Sequence, residues 1–164
     1  MIDSMQYRTI ESPVGSLLLA ADDAGLRFLL FSRGRAAAKP EPGWETDRGL
    51  LKEPVKQLNA YFAGKLRAFD LPLAPQGTPF QTGVWHALCD IPYGETTSYG
   101  QLAKRIGNPK AVRAVGLANG SNPIAIIIPC HRVIGSNGSL VGYGGGFPVK
   151  QALLALERGQ SRLL

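Results

Sequence analysis

Cysteine is scarce in this sequence: 164 residues contain two, Cys89 and Cys130. Two thiols cannot staple a chain of this length, so a disulfide scaffold is excluded and a reduced, cytoplasmic setting is expected. Residues 1–75 hold neither cysteine nor histidine, so no metal site built on those ligands fits there. No metal and no cofactor is expected. Long apolar runs are also missing. No aliphatic stretch is longer than Ile124 to Ile128, which is far too short to span a bilayer. The segment Met1-Ile2-Asp3-Ser4 carries an early acid and no apolar core, so neither a signal peptide nor a membrane partner is expected. No internal repeat is visible.

Charge is modest, at 18%, against a hydrophobic content of 45%. That balance excludes a disordered polyelectrolyte and supplies an ample core. The length suits one domain, or two small ones sharing a core. The net charge of +6 is unevenly spread. Residues 1–75 carry ten Lys/Arg against nine Asp/Glu, whereas residues 76–164 carry eight against three. The second half is the basic one, which points to a polyanionic partner or to a generic basic surface.

Along residues 1–75, Tyr7–Ile10, Gly15–Ala21 and Leu26–Phe31 read as three antiparallel strands. Pro13-Val14-Gly15 and Asp22-Asp23-Ala24-Gly25 separate them with turn chemistry. Ser32 to Gly49 reads as an irregular surface loop. Leu51, Val55, Leu58 and Phe62 recur at helical spacing, so Leu50 to Ala63 is an amphipathic helix ended by Gly64. Asp70 to Pro75 suits a last strand. This first domain, 1–75, reads as a scaffold.

The second domain, 76–164, changes character. Thr78 caps a helix opened by Pro79, with Phe80, Val84, Leu88 and Ile91 as its stripe. Cys89 and Trp85 share its broad face, which makes Cys89 a packing residue, and His86 receives no function. Ser98 with Gln101 forms a capping box. Tyr99, Leu102, Ala103 and Ile106 continue at helical spacing until Gly107-Asn108. Asn108 then caps a helix from Pro109 to about Asn119. Two short helices joined by a tight glycine-containing turn are a helix-turn-helix signature. The second helix is slim, and its Lys110 and Arg113 can reach phosphates or replace a base in a groove. At the end, Val149, Ala152, Leu153 and Leu156 make a buried stripe from Pro148 to Arg158. Glu157 sits at its edge. It is either a solvated helix-end residue or a carboxylate in need of a partner, and His131 is available.

The remaining stretch organises the rest. Ile124 to Ile128 reads as a buried strand ending in Pro129-Cys130, a rigid mount for a thiol. A thiol becomes nucleophilic as a thiolate, which needs a nearby cation, dipole or base. His131 is adjacent, yet in an extended segment neighbours point to opposite faces. Contact requires a turn at Cys130 or a water between the two groups. Periodicity alone leaves Cys130 as a nucleophile or a core residue.

Pro129-Cys130-His131-Arg132-Val133-Ile134 resembles the active-site motif of the 6-O-alkylguanine-DNA alkyltransferases, the methylated-DNA–protein-cysteine methyltransferases. The likeness extends over Thr78-Pro79-Phe80-Gln81, Val84-Trp85, Ile91-Pro92-Tyr93-Gly94, Ser98-Tyr99, Asn108-Pro109-Lys110, Arg113-Ala114-Val115-Gly116, Ala118-Asn119 and Asn122-Pro123. It continues through Gly142-Tyr143, Gly145-Gly146, Lys150, Leu153-Leu154 and Glu157. It is dense over residues 78–158 and loose over 1–75, where Tyr61-Phe62-Ala63-Gly64 carries it.

The resemblance implies an α/β protein of the α+β kind. A small N-terminal three-stranded antiparallel sheet with a helix would precede a mostly helical domain carrying a winged helix-turn-helix. It implies a monomeric DNA repair enzyme that acts once, taking the alkyl group of a 6-O-alkylguanine onto Cys130 as a thioether. Activity on 4-O-alkylthymine stays open. His131 would be the base through a water, Glu157 would orient it, and Asn122 would hold the preceding turn. Tyr99 would donate to the departing guanine. Arg113 would fill the gap left by a nucleotide flipped out of double-stranded DNA, from a helix in the minor groove. Lys110, Ala111, Val112, Ala114, Gly116 and Ser98 would complete the DNA surface. Tyr99, Trp85, Val133, Tyr143, Gly144 and Gly145 would wall the base pocket. The chain departs from the family pattern at Val112, where the helix carries alanine, and at Gly144, where some members carry serine or alanine. It also lacks the ligands for the zinc site of vertebrate-type members. Rival readings are a non-catalytic alkyl-lesion binder with tryptophan at the cysteine position, a helix-turn-helix regulator, and a cysteine hydrolase that turns over repeatedly.

Overall fold

A computed structural model describes residues 4–32, 38–137, 143 and 145–159. They divide into two compact units, one ending at Pro75 and the other starting at Gln76.

The three antiparallel strands expected of the first unit are present, as β1 (Gln6–Ile10), β2 (Leu17–Asp22) and β3 (Gly25–Phe31). β2 is the central strand, and the run Leu17 to Ala21 is buried along its whole length. The sheet gains a fourth, two-residue strand from the segment read as irregular. This is β4 (Glu45–Thr46), which pairs parallel to β1 on its outer side. The expected last strand at Asp70–Pro75 does not form as a strand. It makes one isolated bridge, Leu26 to Leu73, secured by Leu26 N–H on Pro72 O and Ala74 N–H on Leu26 O. Gly25 permits that approach. Its φ is +140°, and a Cβ there would lie 2.5 Å from the Pro72 carbonyl oxygen. Helix α1 (Lys52–Phe62) buries Pro54, Leu58, Tyr61 and Phe62.

The second unit is mostly helical. Helix α2 (Pro79–Cys89) and helix α3 (Tyr99–Arg105) start with the same device. Thr78 and Ser98 each accept from the amide three residues on, and Gln81 and Gln101 each accept back. Such boxes satisfy two orphan helix donors apiece. Helix α4 (Val112–Gly120) starts three residues later than expected. Asn108 does not cap it. Instead the Ala111 amide bonds the Asn108 carbonyl and spends Pro109 and Lys110 on a turn. Gly107, at φ +83°, makes the reversal before that turn. Trp85 Nε1 donates to Ala118 O at 2.8 Å and ties α2 to α4.

The apolar run before the cysteine is buried as expected, but it is not a strand. It is wound by backbone bonds from Ile127 N–H to Ala125 O and from Ile128 N–H to Ile124 O. Asn122 imposes this winding. Its Oδ1 accepts from Ile124 N–H at 3.0 Å, and its Nδ2 donates to Ile128 O at 2.8 Å. Ile126 pays with a φ of +72°, a region β-branched residues avoid. A one-turn 3₁₀ helix, Cys130–Arg132, follows. β5 (Thr97–Ser98) and β6 (Val133–Ile134) then pair in parallel, and helix α5 (Phe147–Glu157) closes the unit.

Candidate active site

The 3₁₀ turn supplies the bend that an extended segment would have denied. Cys130, His131 and Arg132 are all buried within it. His131 Nε2 lies 2.6 Å from Glu157 Oε2 on α5. Arg132 grips the same carboxylate in a fork, Nε to Oε1 at 2.7 Å and Nη2 to Oε2 at 3.1 Å. Its remaining arm donates to Ile91 O at 2.7 Å. Glu157 is therefore not a solvated helix end but a buried carboxylate with two partners, and Arg132 is the one that sequence reasoning left without a role.

These contacts set the charge states. Burial alone would push the Glu157 carboxyl up, but the hydrogen bonds from His131 and then Arg132 outweigh it and bring it down to about 2. Burial pushes His131 below its usual range, against the pull of Glu157. At neutral pH the buried arrangement is thus an Arg132 cation, a Glu157 anion and a neutral imidazole. The anion accepts the Nε2 proton, which leaves the lone pair on Nδ1. That Nδ1 is buried and has no hydrogen-bond partner within the protein. An imidazole in that state has a lone pair able to accept a proton.

Cys130 itself is pushed up by burial. A hydrogen bond from Asn122 and the charge of Lys150 act in the opposite direction. The resting sulfur is thus a thiol, and it needs a base to react. Lys150 is fully buried on α5, with its Nζ donating to Val133 O at 2.7 Å. The sequence held a signal for it. Lys150 and Glu157 are seven residues apart, so both lie on the face that buries Leu153 and Leu154.

Tyr99 opens α3. Burial first, and then the proximity of Cys130, push its phenol up. Tyr143 is pushed well up by burial and by the same sulfur. Val133 is fully buried and Gly145 half-buried. Gly144 lies outside the described residues. Trp85 is buried on α2, where its one donor is engaged by Ala118 O.

Lys110, Val112, Arg113 and Ala114 are exposed, at the head of α4 and in the turn before it. Ala111 precedes the helix as its N-cap, and Ser98 caps α3 with its hydroxyl. Gly116 is half-buried against Tyr99, where an added Cβ would sit 3.9 Å from the ring. Cys89, expected to be buried, is exposed at the end of α2. Among the described residues, no group of three or more His, Cys, Asp or Glu is placed to hold a metal ion.

Comparison with known proteins gives a consistent answer. Residues 79–159 match the 6-O-methylguanine DNA methyltransferase DNA binding domain, and residues 5–75 match the ribonuclease-like domain of the same family. The methylated-DNA–protein-cysteine methyltransferase of Methanosarcina acetivorans is 55% identical over 93% of this chain and 98% of its own. Its Mycobacterium tuberculosis counterpart is 54% identical over 96% and 94%. A crystal structure of the M. tuberculosis protein in complex with DNA superposes with a TM-score of 0.86, covering 95% of this chain and 94% of that one. A Methanococcus jannaschii O6-methylguanine DNA methyltransferase, 28% identical, superposes at 0.64 over 93% of both.

Proposed function

The chain belongs to the 6-O-methylguanine DNA methyltransferase family, and from that premise we propose that it repairs double-stranded DNA by moving the alkyl group of a 6-O-alkylguanine onto Cys130. The observation that carries the assignment is a buried thiol in one turn with a neutral histidine, whose far nitrogen is held by an ionised glutamate.

In this reading His131 Nδ1 takes the Cys130 proton through a water. Sulfur attacks the alkyl carbon, an S–C bond forms, and the bond from that carbon to the guanine oxygen breaks. Guanine leaves as an anion and takes a proton from Tyr99. The proton on His131 then restores the phenol, so the thiol proton ends on guanine. Asn122 holds the sulfur from the preceding turn. A thioether is not readily hydrolysed, so each protein acts once. Tyr99, Tyr143, Val133 and Gly145 line the base pocket in this reading. A cytoplasmic location accords with two free thiols. Among the described residues, no helix is long and apolar enough to cross a membrane.

The deciding test is intact mass after incubation with a duplex containing 6-O-methylguanine, followed by peptide mapping. One methylene of added mass per protein, located on Cys130, is expected. Repeated turnover without mass gain would replace this reading with a hydrolase, and lesion binding without mass gain would replace it with a non-catalytic binder.

DNA is read by α4, with Arg113 occupying the space of the extruded nucleotide and Lys110 contacting phosphate. Val112, Ala114 and the small residues beside them allow close approach to the minor groove. Arg113→Ala should therefore slow transfer from duplex DNA by about ten- to a hundred-fold, the worth of a few kcal/mol of unstacking. Transfer from the free alkylated base should stay near wild type. Equal losses on both substrates would assign Arg113 to the chemistry instead.

A further inference from the structure

The Arg132–Glu157 pair is met by a short turn that the proposed chemistry does not use. Helix α2 ends at Cys89, and the segment from Ile91 to Gly94 then reaches the end of α5. Ile91 O accepts from Arg132 Nη1 at 2.7 Å. The half-buried Tyr93 ring lies against the Arg132 guanidinium, with Cζ 5.8 Å from the ring centroid, within cation–π range. The Tyr93 hydroxyl donates to Leu156 O at 3.4 Å, one residue before Glu157. Gly94 permits the close approach. Its φ is +84°, and an added Cβ would lie 3.2 Å from Glu157 O. Arg132 is thus held by a carboxylate, an aromatic ring and a carbonyl at once, and its side chain is 8% exposed.

We propose that Tyr93 is a positioning residue for alkyl transfer, whose ring keeps water from the Arg132–Glu157 pair and so holds the glutamate in the state that orients His131. The inference rests on the function proposed above and adds a residue that acts through Arg132 rather than on the base or the sulfur. The link runs through one atom. Glu157 Oε2 meets His131 Nε2 at 2.6 Å and Arg132 Nη2 at 3.1 Å. Water admitted at the guanidinium competes for the fork, and a charge pair weakens in a wet setting. Oε2 is then left to the imidazole, and the loss of dryness favours imidazolium as well. Burial is foremost in holding His131 neutral, and Glu157 on α5 pulls the other way. Arg132 on its own turn and Lys150 on α5 add to burial. Tyr99 and Tyr143 are set against the neighbouring sulfur. Uncovering Arg132 relaxes both burial and the Arg132 charge. His131 then keeps its proton to higher pH, and a protonated imidazole cannot take the thiol proton.

The test is the single-turnover rate of methyl uptake from a saturating duplex containing 6-O-methylguanine, followed from about pH 5 to 8. Tyr93→Leu should move the acid limb of that profile upward, toward the 6.5 of an ordinary histidine. A histidine at that value is about one-quarter neutral at pH 6, so the rate at pH 6 relative to pH 8 should fall about two- to three-fold below the wild-type ratio. Tyr93→Phe keeps the ring and should keep the wild-type midpoint. Because each profile is a ratio within one variant, lost stability alone does not imitate the shift. Tyr93→Met, expected to shift likewise, takes the place of Tyr93→Leu if that variant does not fold. An acid limb unmoved when the ring is removed, or moved equally in Tyr93→Phe, overturns the assignment while leaving alkyl transfer intact. Absence of uptake by the wild type at every pH would remove both.

Discussion

Cys130→Ala should take up no methyl group while still binding duplex DNA. The sulfur is the only atom asked to form a bond, and alanine offers no lone pair in its place. DNA contact is assigned to α4 and its approach turn, and Cys130 lies outside both. Cys89 should not substitute. It is exposed at the end of α2, and its thiol is shielded enough that burial and then Asp90 push it up. Its immediate neighbours, Leu88 and Asp90, include no imidazole. Truncating one buried side chain to alanine in a packed site costs stability, here by about 1–2 kcal/mol, below the 2–5 of larger residues. Such a variant stays folded. Intact mass and a binding titration on the same sample decide the matter. Methyl uptake in the variant, or binding lost along with transfer, would refute this division of labour.

Glu157→Gln should be the most damaging substitution for stability. The carboxylate meets an imidazole and both edges of an Arg132 fork, away from water. Removing its charge leaves the buried guanidinium with neutral partners only, the Ile91 carbonyl and the Tyr93 ring among them. Breaking a buried pair this way costs roughly 3–5 kcal/mol. At about 2–4 °C per kcal/mol for a chain of this size, the melting temperature should fall by about 6–20 °C. Transfer should slow by about a hundred-fold or more, the usual worth of a positioned general base. The double variant Arg132→Met, Glu157→Leu separates the two effects, since an apolar replacement of the whole pair is often neutral. It should regain much of the stability and none of the rate.

The same charges fix the acid limb of stability. Glu157 is depressed from an ordinary 4.5 to about 2, so its contribution is whole above 4.5 and vanishes as pH falls toward 2. His131 is depressed below 6.5, so the unfolded chain takes up a proton before the native one does. Both effects act in one direction, and stability should decline from about pH 6.5 downward. A wild type whose denaturant midpoint is flat between pH 7 and 4, or a Glu157→Gln variant that melts like the parent, would contradict this charge assignment.

Local signals in the sequence translated well. The capping pairs Thr78/Gln81 and Ser98/Gln101 were legible because a box is written in four consecutive residues. The three strands were legible because turn residues bracket them. In the second unit two elements misled. Ile124 to Ile128 is apolar and β-branched, which reads as strand, but Asn122 bonds both ends of the run and winds it. Asn108-Pro109 reads as a helix start, but the helix begins only after a turn. The site was half legible. Cys130 and His131 stand together in the motif, whereas the pairing with Glu157 spans 26 positions and is settled by packing. Arg132 stood in plain view without a role, because its task depends on where α5 lands. Tyr93 looked like one more turn residue, because its place over a guanidinium shows only once Arg132 is in position.

Three of the four residues around the carboxylate's grip, Cys130, His131 and Arg132, are consecutive, and only Glu157 arrives from elsewhere. Assembly thus waits on a single closure, which has a consequence for the order of events during synthesis. The DNA-reading helices and the thiol leave the ribosome before the glutamate that completes the relay. At about 5–20 residues per second, the interval is roughly one to five seconds. In that interval the nascent chain holds its cysteine without the partner that orients its base. On the proposed roles, competence to react follows the thiol and the DNA-reading helices in order of synthesis, so an irreversible reagent is not spent before its relay is complete.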